Sequence, residues 1–75
     1  MPDLPIISGR ETVRAFEALG WKAVRKKGSH IILIKAGQLT TLSVPDHKEI
    51  ARGTLRSLIR SAGLNIPEFI EILKK

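Results

Sequence analysis

Apolar residues recur at helical spacing near both ends of this 75-residue chain and at strand-like spacing in its middle. Near the start, Val13, Phe16 and Leu19 share one side of a helix, with Arg10, Arg14 and Glu17 on the opposing side. Ser8 with Glu11 three residues on predicts a capping box at its N-terminus. Gly20 predicts its stop, and Trp21 just beyond it packs back against the helix. The period then changes. Trp21 to Lys26 reads as a strand with a basic exposed face, although Ala23-Val24 interrupts its alternation. Lys27-Gly28-Ser29 predicts a turn, and His30 to Lys35 a β-branched, well-covered second strand. Ala36-Gly37-Gln38 predicts the next turn and Leu39 to Val44 a third strand, closed by Pro45. Connections this short favour an antiparallel meander, whose bare face needs helices to cover it.

After a loop at Asp46-His47-Lys48, a second helix is expected between Lys48 and Ala62. Ala51, Leu55, Leu58, Ile59 and Ala62 make its buried stripe, with Arg52, Arg56 and Arg60 along one flank. Gly53 costs a helix about 1 kcal/mol, so the helix is open to a start as late as Gly53-Thr54. Gly63 is the stop. Asn65 caps a short last helix, with Glu68 at its third position and Phe69, Ile72 and Leu73 on its apolar side. The order α-β-β-β-α-α predicts an α+β fold: a three-stranded antiparallel sheet with helices on one face.

A chain of 75 residues holds one domain and buries only roughly 60–65% of its extended-state surface, so its core is small. It has no cysteine, which excludes disulfides and cysteine-ligated metal, and two histidines alone make a poor zinc site. Hydrophobic residues at 43% and charged residues at 27% match a globular protein rather than a disordered one. The longest apolar run, Ile31-Ile32-Leu33-Ile34, falls far short of the about 18 residues of a membrane span. No secretion signal opens the chain, so a cytoplasmic location is expected.

Thirteen Lys and Arg against seven Asp and Glu leave a net charge of +6, and that excess is unevenly placed. No acidic residue occurs from Trp21 to Pro45, where Lys22, Arg25, Lys26, Lys27 and Lys35 stand. Arg52, Arg56 and Arg60 form a second series at four-residue intervals, and Asp3, Glu11, Glu17, Glu68 and Glu71 gather towards the ends. Two basic segments suit a polyanion-binding surface if they converge, or simply a solvated one if they do not.

His30 stands at the entrance to the middle strand, beside Arg25, Lys26 and Lys27. It is open to two readings: an ordinary solvent-facing strand residue, or a general acid and base. Imidazole suits the second because its reference pKa of about 6.5 permits proton exchange near neutrality. Cleavage of RNA through the ribose 2′-hydroxyl needs a base, an acid and cations for the phosphate, all without metal or cofactor. Ser29 after Gly28 reads as a backbone- or phosphate-binding hydroxyl, since no nucleophile elbow surrounds it. His47 reads as a loop residue that caps a helix or has a structural duty, with phosphate contact or a part in catalysis as the alternatives. The isolated glycines make no phosphate loop, and no carboxylate cluster suited to a metal-dependent nuclease is present.

Leu4-Pro5, Ser8-Gly9, Leu19-Gly20-Trp21, Val24 to His30 with its Gly28-Ser29-His30 block, Val44-Pro45-Asp46-His47, and Gly53 to Leu64 stand out as motifs. Together they resemble the HicA (YcfA-like) toxin family. The resemblance runs from about Leu4 to Leu73 and implies a single domain of this family over residues 1–75. It implies a double-stranded-RNA-binding-domain-like fold with a short additional C-terminal helix. It also implies an mRNA-degrading toxin of a toxin–antitoxin system, neutralised by a HicB-like antitoxin that covers the basic face and His30. Operator DNA would be reached only through that antitoxin, and no membrane is involved. By the same resemblance His30 is the catalytic residue, and His47 matches a second motif histidine of less secure role. Where many members carry another histidine after the Gly-Ser-His block, this chain has Ile31. Supporting or phosphate-binding roles are expected of Ser29, Lys26, Lys27 and Arg25, and RNA-backbone contacts of Lys22, Lys35, Arg52, Arg56 and Arg60. The residues also fit a non-catalytic RNA-binding domain, or an interaction module for an acidic partner.

Overall fold

The computed structural model describes residues 4–75, so Asp3 lies outside the described residues. Its elements run α1 (Gly9–Ala18), β1 (Lys22–Lys27), β2 (His30–Ile34), β3 (Leu42–Pro45), α2 (Arg52–Ser61) and α3 (Ile66–Leu73). The α-β-β-β-α order with an extra C-terminal helix is the one expected. No described helix is long and apolar enough to cross a membrane.

α1 begins at the expected capping box. The Glu11 N–H donates to Ser8 Oγ and the Ser8 N–H donates to the Glu11 carboxylate, each at 3.0 Å. The backbone bond from Ser8, then the one with its hydroxyl, holds the Glu11 carboxyl below its ordinary 4.5. Gly9 has a second duty that its role beside the cap does not reveal. Its N–H donates to the His47 carbonyl at 2.9 Å, and a Cβ there would overlap the Pro45 carbonyl oxygen. The first turn of α1 therefore seats directly on the end of β3. At its other end α1 stops at Gly20, whose φ of 100° suits glycine. Trp21 then turns inward, its N–H donating to the Phe16 carbonyl at 3.0 Å and its ring edge-on to Phe16. That inward turn makes Trp21 a core residue, and the strand starts at Lys22 rather than Trp21.

The sheet has the order β1-β2-β3 with both pairings antiparallel. The interrupted alternation at Ala23-Val24 is a register shift: Ala23 pairs with Leu33 but Arg25 with Ile32, leaving Val24 as an extra residue. Residues paired across strands share a face. Ala23, Ile31, Leu33, Leu42 and Val44 thus face the helices, while Arg25, Lys27, His30, Ile32 and Ser43 face away. β2 is covered mainly on the helix side, and His30 and Ile34 are exposed.

β3 begins at Leu42, three residues later than expected, and Leu39 is fully exposed. The turn at Gly37 closes when the Gln38 N–H donates to the Lys35 carbonyl. A ladder continued from that turn would pair Ile34 with Leu39 and displace β3 by two residues. The observed register instead opposes Leu33 to Leu42 and Ile31 to Val44. Burying those two pairs outweighs the extra ladder bonds, so residues 39–41 loop out.

α2 starts at Arg52, with Gly53 inside it. Ala51 is exposed at the N-cap and does not belong to the buried stripe. The preceding Ile50 is buried instead, its N–H donating to the Ile7 carbonyl at 2.9 Å, because the chain is not yet helical there. α3 opens on the expected box between Asn65 and Glu68. Phe69 tilts onto Phe16 with ring centroids 5.2 Å apart, both rings fully buried. Leu55, Leu58 and Ile59 of α2 meet these rings and the inner face of the sheet in one apolar cluster. Ile32 is buried outside that cluster, on the other side of the sheet.

Candidate functional site

The site is built on the β1–β2 hairpin. Its two-residue turn is Gly28-Ser29, with Lys27 paired to His30 across it. Gly28 has φ 60°, which two-residue hairpin turns require at their first central position. The Asp46 N–H donates to the Ser29 carbonyl at 2.7 Å, which ties the turn to the residue after β3. The position of His30 is therefore set on both sides, by Lys27 on β1 and Pro45 on β3.

His30 points from the open face and is exposed. Its Nδ1 lies 2.9 Å from Ser43 Oγ on β3. Ser43 is the diagonal neighbour, two residues before the direct partner Pro45, within reach of a ring that leans along its strand. Nothing local in the sequence marks Ser43, because the contact exists only once β2 and β3 are in register. Its outward place in the alternation of β3 is the sole signal.

The basic segment divides between the two faces. Lys27, Arg25 and Lys22 pair with His30, Ile32 and Ile34, and so join the histidine on the open face. Lys26 pairs with Ile31 and lies on the helix side. There its Nζ donates to Asp46 Oδ2 at 2.8 Å, while Arg10 Nε stands 3.4 Å from Asp46 Oδ1. The bond from Lys26, then the fields of Lys26 and Arg10, hold the Asp46 carboxyl below its ordinary 3.8 against the opposing effect of desolvation. Asp46, Lys26 and Arg10 thus form a latch between α1, β1 and the end of β3 that the linear sequence does not show.

The remaining cations lie elsewhere. Lys35 runs beside Gly20, where its Cε would be 3.2 Å from an added Cβ, so its charge sits at the C-terminal end of α1. Arg52 Nε donates to the Leu4 carbonyl at 2.7 Å, tying α2 to the N-terminal segment. Arg56 and Arg60 are exposed on α2, in the helical layer, with the sheet between them and His30. The helix that carries the ridge packs on the inner face of the sheet, whereas His30 stands on the outer one. His47 is exposed in the loop, and its carbonyl holds the start of α1. Among the described residues, no three His, Cys, Asp or Glu side chains group closely enough to hold a metal ion.

A small basic α+β domain with one imidazole on the open face of its sheet is the class that this geometry defines. Residues 9–64 match the model of the HicA toxin of bacterial toxin–antitoxin systems, and the chain belongs to that family. Its fold is similar to one chain of a solved toxin–antitoxin complex from Streptococcus pneumoniae. The two are 34% identical with a TM-score of 0.70, over 77% of this chain and 98% of that one. No curated protein matches the chain.

Proposed function

We propose that this protein is the toxin of a toxin–antitoxin pair and cuts mRNA as a metal-independent endoribonuclease, with His30 as general base and acid. One observation carries the reading: the exposed His30 imidazole on the open sheet face, oriented by Ser43 and flanked on β1 by Lys27 and Arg25. In this reaction neutral His30 takes the proton of a ribose 2′-hydroxyl. The 2′-oxygen bonds to phosphorus, the bond from phosphorus to the 5′-oxygen breaks, and the imidazolium returns its proton to that leaving oxygen. Lys27 and Arg25 offset the charge that builds on the phosphate, and Lys22 extends the cationic track along β1. Shape and backbone contacts suffice for such RNA recognition, which needs cations more than base-reading groups.

The other basic residues act at a distance in this reading. Lys26 holds the latch with Asp46, Ser29 offers its exposed hydroxyl at the rim, and His47 is exposed in the loop after β3. Arg56 and Arg60, exposed on α2, add to the overall positive charge that attracts RNA rather than to the reacting phosphate. The partner is a HicB-like antitoxin with an acidic face that covers the open sheet and His30. Its binding and that of RNA are mutually exclusive. Family membership and the likeness to a chain of a toxin–antitoxin complex support that pairing.

The test compares wild type with His30→Ala on a 5′-labelled RNA of mixed sequence, in EDTA, with end-group analysis and a parallel binding titration. Cleavage by wild type, and a loss of about 10²-fold or more in H30A with binding retained, is the expected result. Abolition of wild-type cleavage by EDTA overturns the metal-free step, and equal cleavage by both removes His30. Salt-sensitive binding by wild type without any product would make the protein an RNA-binding domain only.

A further inference from the structure

We infer that the groove between α1 and β1 is a second RNA subsite, which holds backbone phosphates of a single strand beyond the one at His30. The inference rests on the reading of the open sheet face as an RNA surface. The helices do not cover the inner face evenly: Ala23 is exposed and Ile31 only half-buried, although both face the helical layer. These two residues floor an open groove of about 340 Å³, with Val13 of α1 on its wall. Three cations stand around it: Arg10 and Arg14, one helical turn apart on α1, and Lys26 on β1. Against them Asp46 is the one carboxylate among the described residues that line it, so the groove stays cationic. The latch does not consume these charges. Lys26 Nζ uses one of its three N–H donors on Asp46, and its side chain remains 52% exposed. Arg10 meets Asp46 through Nε and remains 75% exposed. Arg14 is exposed and forms no ion pair among the described residues. Glu11, one turn before it, keeps its carboxylate on the Ser8 N–H.

The place of β1 explains how one strand of RNA reaches both sites. β1 lies at the edge of the sheet, with β2 on one side only. Its alternation sends Arg25 and Lys27 to the face of His30 and Lys26, between them, to the groove. The basic run therefore wraps the sheet edge as one continuous track. A flexible single strand turns over one β-strand within a few nucleotides, whereas a stiff duplex does not bend so sharply. The ligand of the groove is thus the flanking part of a single-stranded RNA, held by its phosphates against Arg14, Arg10 and Lys26. Arg14 carries the cleanest test, because an exposed helical arginine outside the latch can be replaced by alanine without loss of fold.

The experiment uses full chains in the His30→Ala background, so that binding is read without turnover. It compares that parent with Arg14→Ala and with Lys74→Ala, which removes the same charge from the end of α3. Fluorescence anisotropy gives affinities at several salt concentrations for single-stranded RNAs of about 4 and about 12 nucleotides, within the range of single-strand site sizes. We expect R14A to lower affinity for the longer RNA roughly 3- to 10-fold at about 0.1 M salt and to flatten its salt dependence by about one unit. The shorter RNA, which cannot round the edge, should bind R14A and the parent alike, and K74A should match the parent at both lengths. Equal losses at both lengths, or an equal loss in K74A, would mean general attraction and overturn the subsite. No loss in R14A overturns it as well and leaves the groove to an acidic protein segment. A duplex that depends on Arg14 as strongly as the single strand overturns the single-strand assignment. Product formed by H30A, or none formed by wild type, refutes the nuclease reading alone, because the length dependence is read from binding.

Discussion

Gly9 and Gly53 both lie in helices, yet alanine should act on them with opposite sign. Replacing a helical glycine gains about 0.5–1 kcal/mol through reduced chain entropy and better propensity. At Gly53 nothing else changes, since an added Cβ meets no atom within 4 Å. Gly53→Ala should therefore raise stability by about that amount, or roughly 2–8 °C in melting temperature for a chain of this size. At Gly9 the same methyl would overlap the Pro45 carbonyl oxygen and approach the Asp46 Cα to 3.1 Å. Both neighbours are backbone, held by the β2–β3 ladder and by the bond from Asp46 N–H to Ser29, so neither can rotate aside. Relief requires α1 to lift from β3. That weakens the Gly9–His47 bond, worth about 0.5–1.5 kcal/mol, and adds overpacking of about 1–3 kcal/mol. The propensity gain offsets only part of this, leaving Gly9→Ala destabilised by about 1–3 kcal/mol. Urea unfolding followed by circular dichroism, with equal slopes required, measures both variants. A Gly9→Ala midpoint at or above that of Gly53→Ala would refute the close approach of α1 to β3.

Acid should weaken the fold, because Asp46 and Glu11 both have carboxyls held below their ordinary values of 3.8 and 4.5. Their contribution is fully present above those values and is lost as pH falls through the lowered ones. Asp46→Asn should flatten part of that decline in urea midpoints between pH 7 and pH 2.5, while an unchanged acid limb would remove Asp46 from the account. Phe16→Ala deletes a fully buried ring that touches both Trp21 and Phe69 and should cost about 3–5 kcal/mol, a large share of the stability available to so small a chain. A loss under 1 kcal/mol in the same unfolding assay would mean that the core is not centred there. Lys27→Ala and Arg25→Ala should each lower the salt dependence of RNA affinity by about one unit and slow cleavage. Arg56→Ala, across the sheet, should leave the single-turnover rate near wild type, and an equal slowing would place RNA on the helical layer.

Both capping boxes, the glycine stops and the change of period from helix to strand and back were legible in the chain, because each is a local rule over a few residues. Ser8 and Glu11, and Asn65 and Glu68, bond as their spacing requires. The hairpin at Gly28-Ser29 likewise follows from local turn chemistry, and with it the place of His30 at the head of β2. Boundaries were legible only where no distant contact competes. β3 shortened because pairing Leu33 with Leu42 and Ile31 with Val44 outweighed the turn at Gly37. Ala51 left the buried stripe because its neighbour Ile50 is held by Ile7.

The charge pattern divides in the same way. That this is a basic chain with a lone histidine in its most basic stretch is a property of composition and order. Which cations stand with that histidine depends on strand parity, register and layers. Lys27 and Arg25 share its face, while Lys26 turns to Asp46 on the other. Lys35 runs to Gly20, and Arg56 and Arg60 lie across the sheet. Ser43 meets His30 only through pairing of strands whose contacting residues lie thirteen positions apart. Local sequence determines φ, caps and periods because these depend on neighbours a turn away. The partners of a side chain at the site depend on which face each strand presents, and burial of the core decides that.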